Sequence, residues 1–429
     1  MSSSFPCGRK RLGGASPVAL VRSDKNRDKN GDQDAPPPTL RLAASTPVPR
    51  VVRPHVCFVA PQVWPVLARD SRIPVVGGAE VQQTILGRLL VRAGYQVSMI
   101  CLDYGQPEQV TVDGITVHRA HSETAGIPVL RFFHPRLTSM WRAMAEVDAD
   151  IYYQRSAAML TAVVAVFCRR HGKRSIYAGA ADSDFKPGQQ IIRYGRDRWL
   201  FERGLALVDR VVVQNEQQRL DCLHHYGRAA QLIPSCYELP EGSHPGPGEF
   251  ILWAATVRPD KRPELFLDLA RRLPQRRFVL VGGAGEGRGA RDYYDSIRQA
   301  ATALPNVEVT GFLPLAEAEA YFDRAQVVVN TSPAEGMPNI FLQAWARGIP
   351  TVAYIDVGAR SRGEAVYRVV ANEAEAAGEV ERLCADDIYR AHASARCRDY
   401  FAATHGSAAV LGLYGRLLAE LGGVGGGEP

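Results

Sequence analysis

No run of eighteen or more apolar residues occurs in the 429-residue sequence, whereas a membrane-spanning helix needs about twenty. The first thirty residues also lack a continuous apolar segment, because the short run Pro17–Val21 is interrupted at once by Arg22 and Asp24. No secretory signal is therefore legible, and a cytoplasmic location is expected. No Cys-x-x-Cys pair occurs among the eight cysteines, Cys7, Cys57, Cys101, Cys168, Cys222, Cys236, Cys384 and Cys397. Scattered in this way, several of them inside apolar runs, they are expected to be reduced and mostly buried thiols. Charge of one sign is in small excess, +6 from 51 basic and 45 acidic residues, which does not argue for a nucleic-acid partner. The excess is local: between Arg131 and Arg203 thirteen Lys and Arg stand against seven Asp and Glu. Such a stretch could serve peripheral contact with an acidic membrane surface or a phosphate-bearing acceptor, although an arginine-rich solvated helical face is the simpler reading.

What the chain does contain is apolar residues, 46% of the total, enough to supply cores for two or three domains. Residues 1–50, rich in Ser, Pro, Asp, Lys and Arg without apolar periodicity, read as a disordered tail. From Val51 the order is strand (HVCFVA), glycine-containing loop (VVGGAE), amphipathic helix (about Glu80 to Arg92) and strand (QVSMIC), a β-loop-α-β unit. VTVDGITVHR, with Asp113-Gly114 at its centre, predicts a hairpin. DIYYQ, SIYAGAA and VDRVVVQN are further strands, separated by helical stretches such as Met159 to Arg170. Between Ile233 and Glu249 four prolines and three glycines without periodicity mark the join between domains, with the linker proper at 241–249.

After the join, apolar strands alternate with helices over 263–272, 292–301 and 315–324, and later over 373–402 and 408–421. Strands that are continuous apolar runs imply parallel sheets covered on both faces. The expected class is α/β: two doubly wound, Rossmann-like parallel-sheet domains, 51–240 and 250–402, facing a central cleft, with a helix over 403–421 and a flexible end at 422–429. Ligands of such sheets bind outside the carboxyl ends of the strands.

Three segments could carry chemistry there. SPAEGMPNIFLQAWARGIPTVAY (Ser332–Tyr354) places the Glu335 carboxylate before Gly336, Pro338 at an expected helix start and Gln343 inside the helix, with Gly348 and Pro350 as its stop. A helix start suits phosphate, although an ordinary β-loop-α-β unit with a surface Glu explains the same letters. Gly77 and Gly78, just before the first amphipathic helix, permit close backbone approach to an anion. WAATVRPDKRPELFLDLA sets Arg258 and Lys261 in the turn after a strand, where two cations could neutralise a pyrophosphate leaving group or simply be solvated loop charges. Val281–Gly289 (VGGAGEGRG) matches a dinucleotide fingerprint only loosely and reads as a loop. His118 and His121 have no third ligand nearby and read as ordinary strand and loop histidines.

GGAEVQQTILGRLLVRAGYQVSMI, WAATVRPDKRPELFLDLA and SPAEGMPNIFLQAWARGIPTVAY, in that order and spacing, resemble the first loop, the phosphate turn and the E-x7-E segment of glycosyltransferase family 4, over about residues 54 to 420. The resemblance implies a GT-B fold with a C-terminal helix crossing back to the first domain. It also implies transfer of a sugar from a nucleoside diphosphate donor, with retention of configuration and no required metal. Asp-x-Asp elements in a plausible site loop are confined to Asp182-Ser183-Asp184, consistent with that. By position, Glu335 would bind sugar hydroxyls, the backbone of Gly336, Met337, Pro338, Asn339 and Ile340 would surround sugar and phosphates, Lys261 would hold the pyrophosphate and Gly78 would approach it from the other domain.

Three positions depart from the family pattern. Gln343 stands in place of the second glutamate at the ribose, and an amide can still accept or donate there; Gln343→Glu is expected to be tolerated or to tighten donor binding. Thr256 stands where a second phosphate-binding Arg is frequent, leaving Arg258 to substitute. Ala181-Asp182 replaces a His-Asp pair near the acceptor, so that Asp182 or Asp184 would orient the acceptor hydroxyl. The expected activity is that of a retaining glycosyltransferase acting on a saccharide or lipid-linked acceptor in polysaccharide or cell-envelope glycan synthesis. The alternatives are a degenerate sugar-nucleotide-binding protein without transferase activity, and a GT-B epimerase or phosphorylase.

Overall fold

The fold was analysed in a computed structural model, which describes residues 53–70, 77–126, 133–285 and 287–423. The segments expected to be disordered or flexible, 1–50 and most of 422–429, lie outside the described residues, as do Cys7 and Arg131. The first sheet is built from β1 Val56–Val59, β2 Val97–Cys101, β3 Gln109–Val112, β4 Ile115–Arg119, β5 Ile151–Arg155, β6 Arg174–Ala178, β7 Arg210–Val213 and β8 Gln231–Leu232. Its spatial order is β3-β4-β2-β1-β5-β6-β7-β8, parallel except for the β3–β4 hairpin. Among the described residues it is flanked by the α-helices α1 Trp64–Leu67, α2 Gly78–Arg92, α3 Thr138–Val147, α4 Leu160–His171, α5 Gly195–Leu207 and α6 Glu216–Tyr226. Every residue of β1 and β2 is buried, because both faces of these central strands are covered by helices. Asp113 and Gly114 turn the hairpin with φ of 51° and 79°, the left-handed pair that matches strand twist in a two-residue connection.

The second sheet contains β9 Phe250–Ala254, β10 Phe278–Val281, β11 Val307–Gly311, β12 Ala325–Asn330 and β13 Thr351–Ala353. A two-strand antiparallel ribbon, β14 Arg360–Ser361 and β15 Glu364–Ala365, stands apart, and β16 Arg368–Val369 completes the sheet. The order is β11-β10-β9-β12-β13-β16, all parallel. Its helices are α7 Pro263–Arg272, α8 Ala290–Thr302, α9 Leu315–Arg324, α10 Asn339–Ala346, α11 Glu373–Ala385 and α12 Asp387–Thr404, followed by α13 Ser407–Leu421.

Two helix boundaries differ from the sequence expectation. Pro338 is extended (φ −63°, ψ 129°) and precedes α10 rather than opening it. The single helix expected over 373–402 is two, because Asp386 is extended (φ −107°, ψ 99°) and its carboxylate accepts the Tyr389 amide at 2.9 Å. An aspartate that caps a new helix start outcompetes continuation of the old one.

Helix α13 returns to the first domain. Val410, Tyr414, Leu417, Leu418 and Leu421 share an apolar cluster with Val56, Phe58 and Tyr153. Just before this crossing, His405 is buried, with Nδ1 2.7 Å from the Ser235 carbonyl and Nε2 without a partner among the described residues. A carbonyl accepts, so Nδ1 carries the proton, and protonating Nε2 would bury an unanswered N–H. Burial lowers the pKa to about 4, against the opposing bond to Ser235. The unfolded chain takes up this proton near the ordinary value of 6.5 while the folded chain does not, so stability is lost as pH falls from 6.5 towards 4. The slope from this group approaches ~1.4 kcal/mol per pH unit. His405→Gln, which keeps a donor for Ser235, is expected to flatten that slope in urea unfolding followed at several pH values.

Among the described residues no helix is long and apolar enough to cross a membrane, and the seven described cysteines are free and buried.

Candidate active site

Strand order reverses around β1 in the first sheet and around β9 in the second, and ligand-binding loops follow such strands. In the second domain the turn after β9 and the loop after β12 are tied together by Thr331. Its hydroxyl donates to the Lys261 carbonyl at 2.5 Å and accepts the Trp253 indole N–H at 2.8 Å. Arg262, held at φ 46°, donates from Nε to the Thr331 carbonyl at 2.8 Å and lies over the Tyr354 ring. A non-glycine residue in the left-handed region costs about 1 kcal/mol or more, offset here by those contacts. The result is an ion pair between Lys261 Nζ and Glu335, whose side chains are only 17% and 20% exposed. Arg258 belongs to the same turn, but its guanidinium is 48% exposed and bonded to Asp260 at 2.8 Å. Of Arg258 and Lys261, the lysine is thus shielded and the arginine lies at the surface.

The facing wall comes from the first domain. Asp182 follows β6, and its Oδ1 accepts from Asn215 Nδ2 at 3.1 Å and Gln218 Nε2 at 2.8 Å. A Cβ at Gly336 would stand 3.3 Å from Gln218 Nε2 and 3.6 Å from Asp182 Oδ1. The backbone of the Glu335 loop therefore comes within contact of Asp182 across the cleft. Asp184 is turned inward: its carboxylate accepts from the Tyr177 hydroxyl at 3.1 Å and from the Ala180 and Ala181 amides. Burial pushes its pKa up against those bonds. Of the two aspartates, Asp182 is the one beside the facing domain's loop.

Gly78 opens α2, and a Cβ there would lie 3.1 Å from Asn339 Nδ2, so this position is set by the approach of the two domains. A Cβ at Gly77 would meet only the mobile end of Glu80. Met337 and Ile340 are partly buried against the core of the second domain. Gln343 points into a buried polar network beneath α10, its Nε2 donating to Glu319 Oε1 at 2.8 Å. The other Glu319 oxygen accepts from the Tyr237 hydroxyl at 2.6 Å and Arg347 Nη2 at 2.9 Å, and Arg347 Nε is 2.6 Å from Asp323.

Lys261 with Glu335, Gly336 with Asp182, and Gly78 with Asn339 are thus brought together; Arg258 and Gln343 are engaged elsewhere. Sequence reasoning passed over Arg262, Thr331, Asn215, Gln218 and Gln82. Only Arg262, adjacent to Lys261, carried any signal, since the others are isolated polar residues whose partners are remote in sequence. His121 bonds Ser139 at 2.8 Å, and among the described residues no group of three or more His, Cys, Asp or Glu side chains is placed to hold a metal.

Two parallel-sheet domains whose strand-end loops meet across a cleft form the GT-B architecture of sugar-transferring enzymes. Residues 76–238 match the family described as Glycosyltransferase Family 4, and residues 248–386 match Glycosyl transferases group 1. The chain belongs to the family 4 type of glycosyltransferases. Solved structures similar to it include sucrose-phosphate synthase from Thermosynechococcus elongatus, with a TM-score of 0.67 and 17% identity over 87% of this chain and 100% of that one. Another is Anabaena HepE in complex with UDP and glucose, with a TM-score of 0.64 and 16% identity over 86% and 100%. A trehalose-6-phosphate synthase has a TM-score of 0.60 and 13% identity over 85% and 98%. No curated protein matches the sequence.

Proposed function

We propose that the protein transfers a sugar from a nucleoside diphosphate sugar to a saccharide acceptor, free or lipid-linked, with retention of configuration and without a bound metal, in the synthesis of polysaccharide or cell-envelope glycan. The observation that carries this reading is the meeting of the Lys261–Glu335 pair and Gly336 with Asp182 across the cleft. A donor diphosphate draws Lys261 to itself and frees Glu335 for sugar hydroxyls. The bond from the anomeric carbon to the diphosphate oxygen breaks, the bond to the acceptor oxygen forms on the same face, and the acceptor proton passes to the leaving diphosphate. Asp182 orients the acceptor hydroxyl. The fold of HepE with UDP and glucose bound, and of the trehalose-6-phosphate synthase studied for glycosyl transfer with retention, supports the donor class and the stereochemistry.

Incubation with UDP, GDP and ADP sugars and envelope extracts is expected to release nucleoside diphosphate with one donor class, to do so in EDTA, and to yield a product of unchanged anomeric configuration. Binding without turnover across all donors overturns the transferase reading. It would favour a sugar-nucleotide-binding protein, the alternative to which the engagement of Gln343 and Arg258 elsewhere is congenial.

We propose further that the basic first domain contacts the inner face of an anionic membrane from the cytoplasm. Ile191 (89% exposed), Tyr194 and Trp199 are solvent-facing, with Arg193 and Arg203 over the two rings at 5.4 and 5.5 Å, an arrangement suited to a headgroup layer. Flotation with phosphatidylglycerol vesicles that fails for wild type, or that is unaltered in Ile191→Ala/Trp199→Ala, removes this part of the reading.

A further inference from the structure

Gln82 lies on α2 of the first domain and is buried. Both of its N–H donors and its oxygen are engaged. Oε1 accepts the Cys236 N–H at 2.9 Å, while Nε2 donates to the Cys236 carbonyl at 2.9 Å and to Asn339 Oδ1 at 3.0 Å. One side chain therefore pairs both ways with a single residue of the segment that joins the domains, as a neighbouring strand would, and also grips the residue that opens α10. The orientation of the amide is dictated, because the reverse would set N–H against N–H and oxygen against oxygen at Cys236. That in turn orients Asn339: its oxygen faces Gln82, and its Nδ2 faces the position of Gly78.

The joining segment is anchored on both sides of Cys236. Ser235 donates its hydroxyl to Gln214 at 2.6 Å, and its carbonyl meets His405. Tyr237 reaches Glu319 and Arg347 in the second domain. Cys236, between them, is the residue addressed by Gln82.

We infer that Gln82 is a positioning residue that couples the joining segment at Cys236 to the loop Glu335–Asn339, so that the two move as one. This rests on the reading of that loop as the donor-holding element; the coupling itself requires no donor. Loosening Asn339 frees one of the three bonds that hold the Gln82 amide, and the remaining two, at Cys236, then open more often.

Amide hydrogen exchange on the full chain without ligand tests this. Asn339→Ala, which does not touch the joining segment, is expected to speed exchange of the Cys236 amide about threefold or more. In a Gln82→Met background, where the shape is kept and the bonds are lost, it is expected to add nothing. An unchanged Cys236 rate in Asn339→Ala, or effects that simply add, overturns the coupling. If Gln82→Met does not fold, the Asn339→Ala arm decides alone. With UDP-glucose as the probe donor, Gln82→Met is expected to lower kcat/KM about tenfold, with Asn339→Ala again non-additive. Coupled exchange with no turnover of any nucleotide sugar would retain the coupling and discard the donor reading.

Discussion

Lys261→Ala and Glu335→Ala each lower turnover by at least about tenfold, corresponding to about 1.4 kcal/mol of transition-state stabilisation. The two side chains hold each other, so neither charge is left unpaired where solvent is partly excluded. On the proposed reading a donor exchanges that pairing for two better ones. Lys261 meets the diphosphate, where negative charge grows as the bond to sugar breaks, and Glu335 meets the sugar hydroxyls. Interactions that strengthen as charge develops raise kcat rather than only lowering KM. Lys261→Ala is therefore expected to act mainly on kcat, and Glu335→Ala on both constants. The double variant should fall short of the product of the two, because each single change also leaves the other charge without its partner. Steady-state kinetics on variants shown to be folded check this, and unchanged rates remove both assigned roles.

Arg347→Met destabilises the fold by about 3–5 kcal/mol, the cost of removing one partner from buried ion pairs. The Arg347 side chain is wholly shielded, and its nitrogens meet Glu319, Asp323, the Tyr237 hydroxyl and the Gln343 carbonyl. Without it, the 9%-exposed Glu319 side chain keeps only the Gln343 amide and the Tyr237 hydroxyl, and Asp323 keeps Ser243. Such a loss is a large share of the ~5–15 kcal/mol that holds a typical protein folded, and urea or thermal unfolding reads it directly. The same network reverses the expectation for Gln343→Glu. A glutamate there would set a second carboxylate against Glu319 in place of the amide N–H, so the variant is expected to lose stability by about 1–3 kcal/mol instead of being tolerated.

The contrast between Glu335 and Gln343 marks what local sequence can convey. Glu335 lies in a loop whose neighbours, a buried strand before it and a helix after it, are legible from period and turn chemistry, so its exposure to the cleft follows. Gln343 sits on a helix whose faces are both covered, and the side that receives its amide depends on Glu319 of α9 and Tyr237 of the joining segment. The split at Asp386 was likewise hidden, since an aspartate reads as a cap only once the following turn is known to bend away.

By itself, the sequence determined the succession of buried strands and amphipathic helices, the Asp113-Gly114 hairpin, the two-domain α/β division and the three loops of the cleft. The strands, helices and hairpin follow from spacing within a dozen residues and the division from the proline- and glycine-rich join, whereas the place of the three loops at the cleft rested on the resemblance to family 4. Only the tertiary structure decided that Lys261 pairs with Glu335, that Asp182 rather than Asp184 faces Gly336, and that Gln82 bridges Cys236 and Asn339. These are contacts between segments tens to hundreds of residues apart. A polar side chain withdrawn from water must find a partner wherever packing brings one, and that address is not written in its neighbours along the chain.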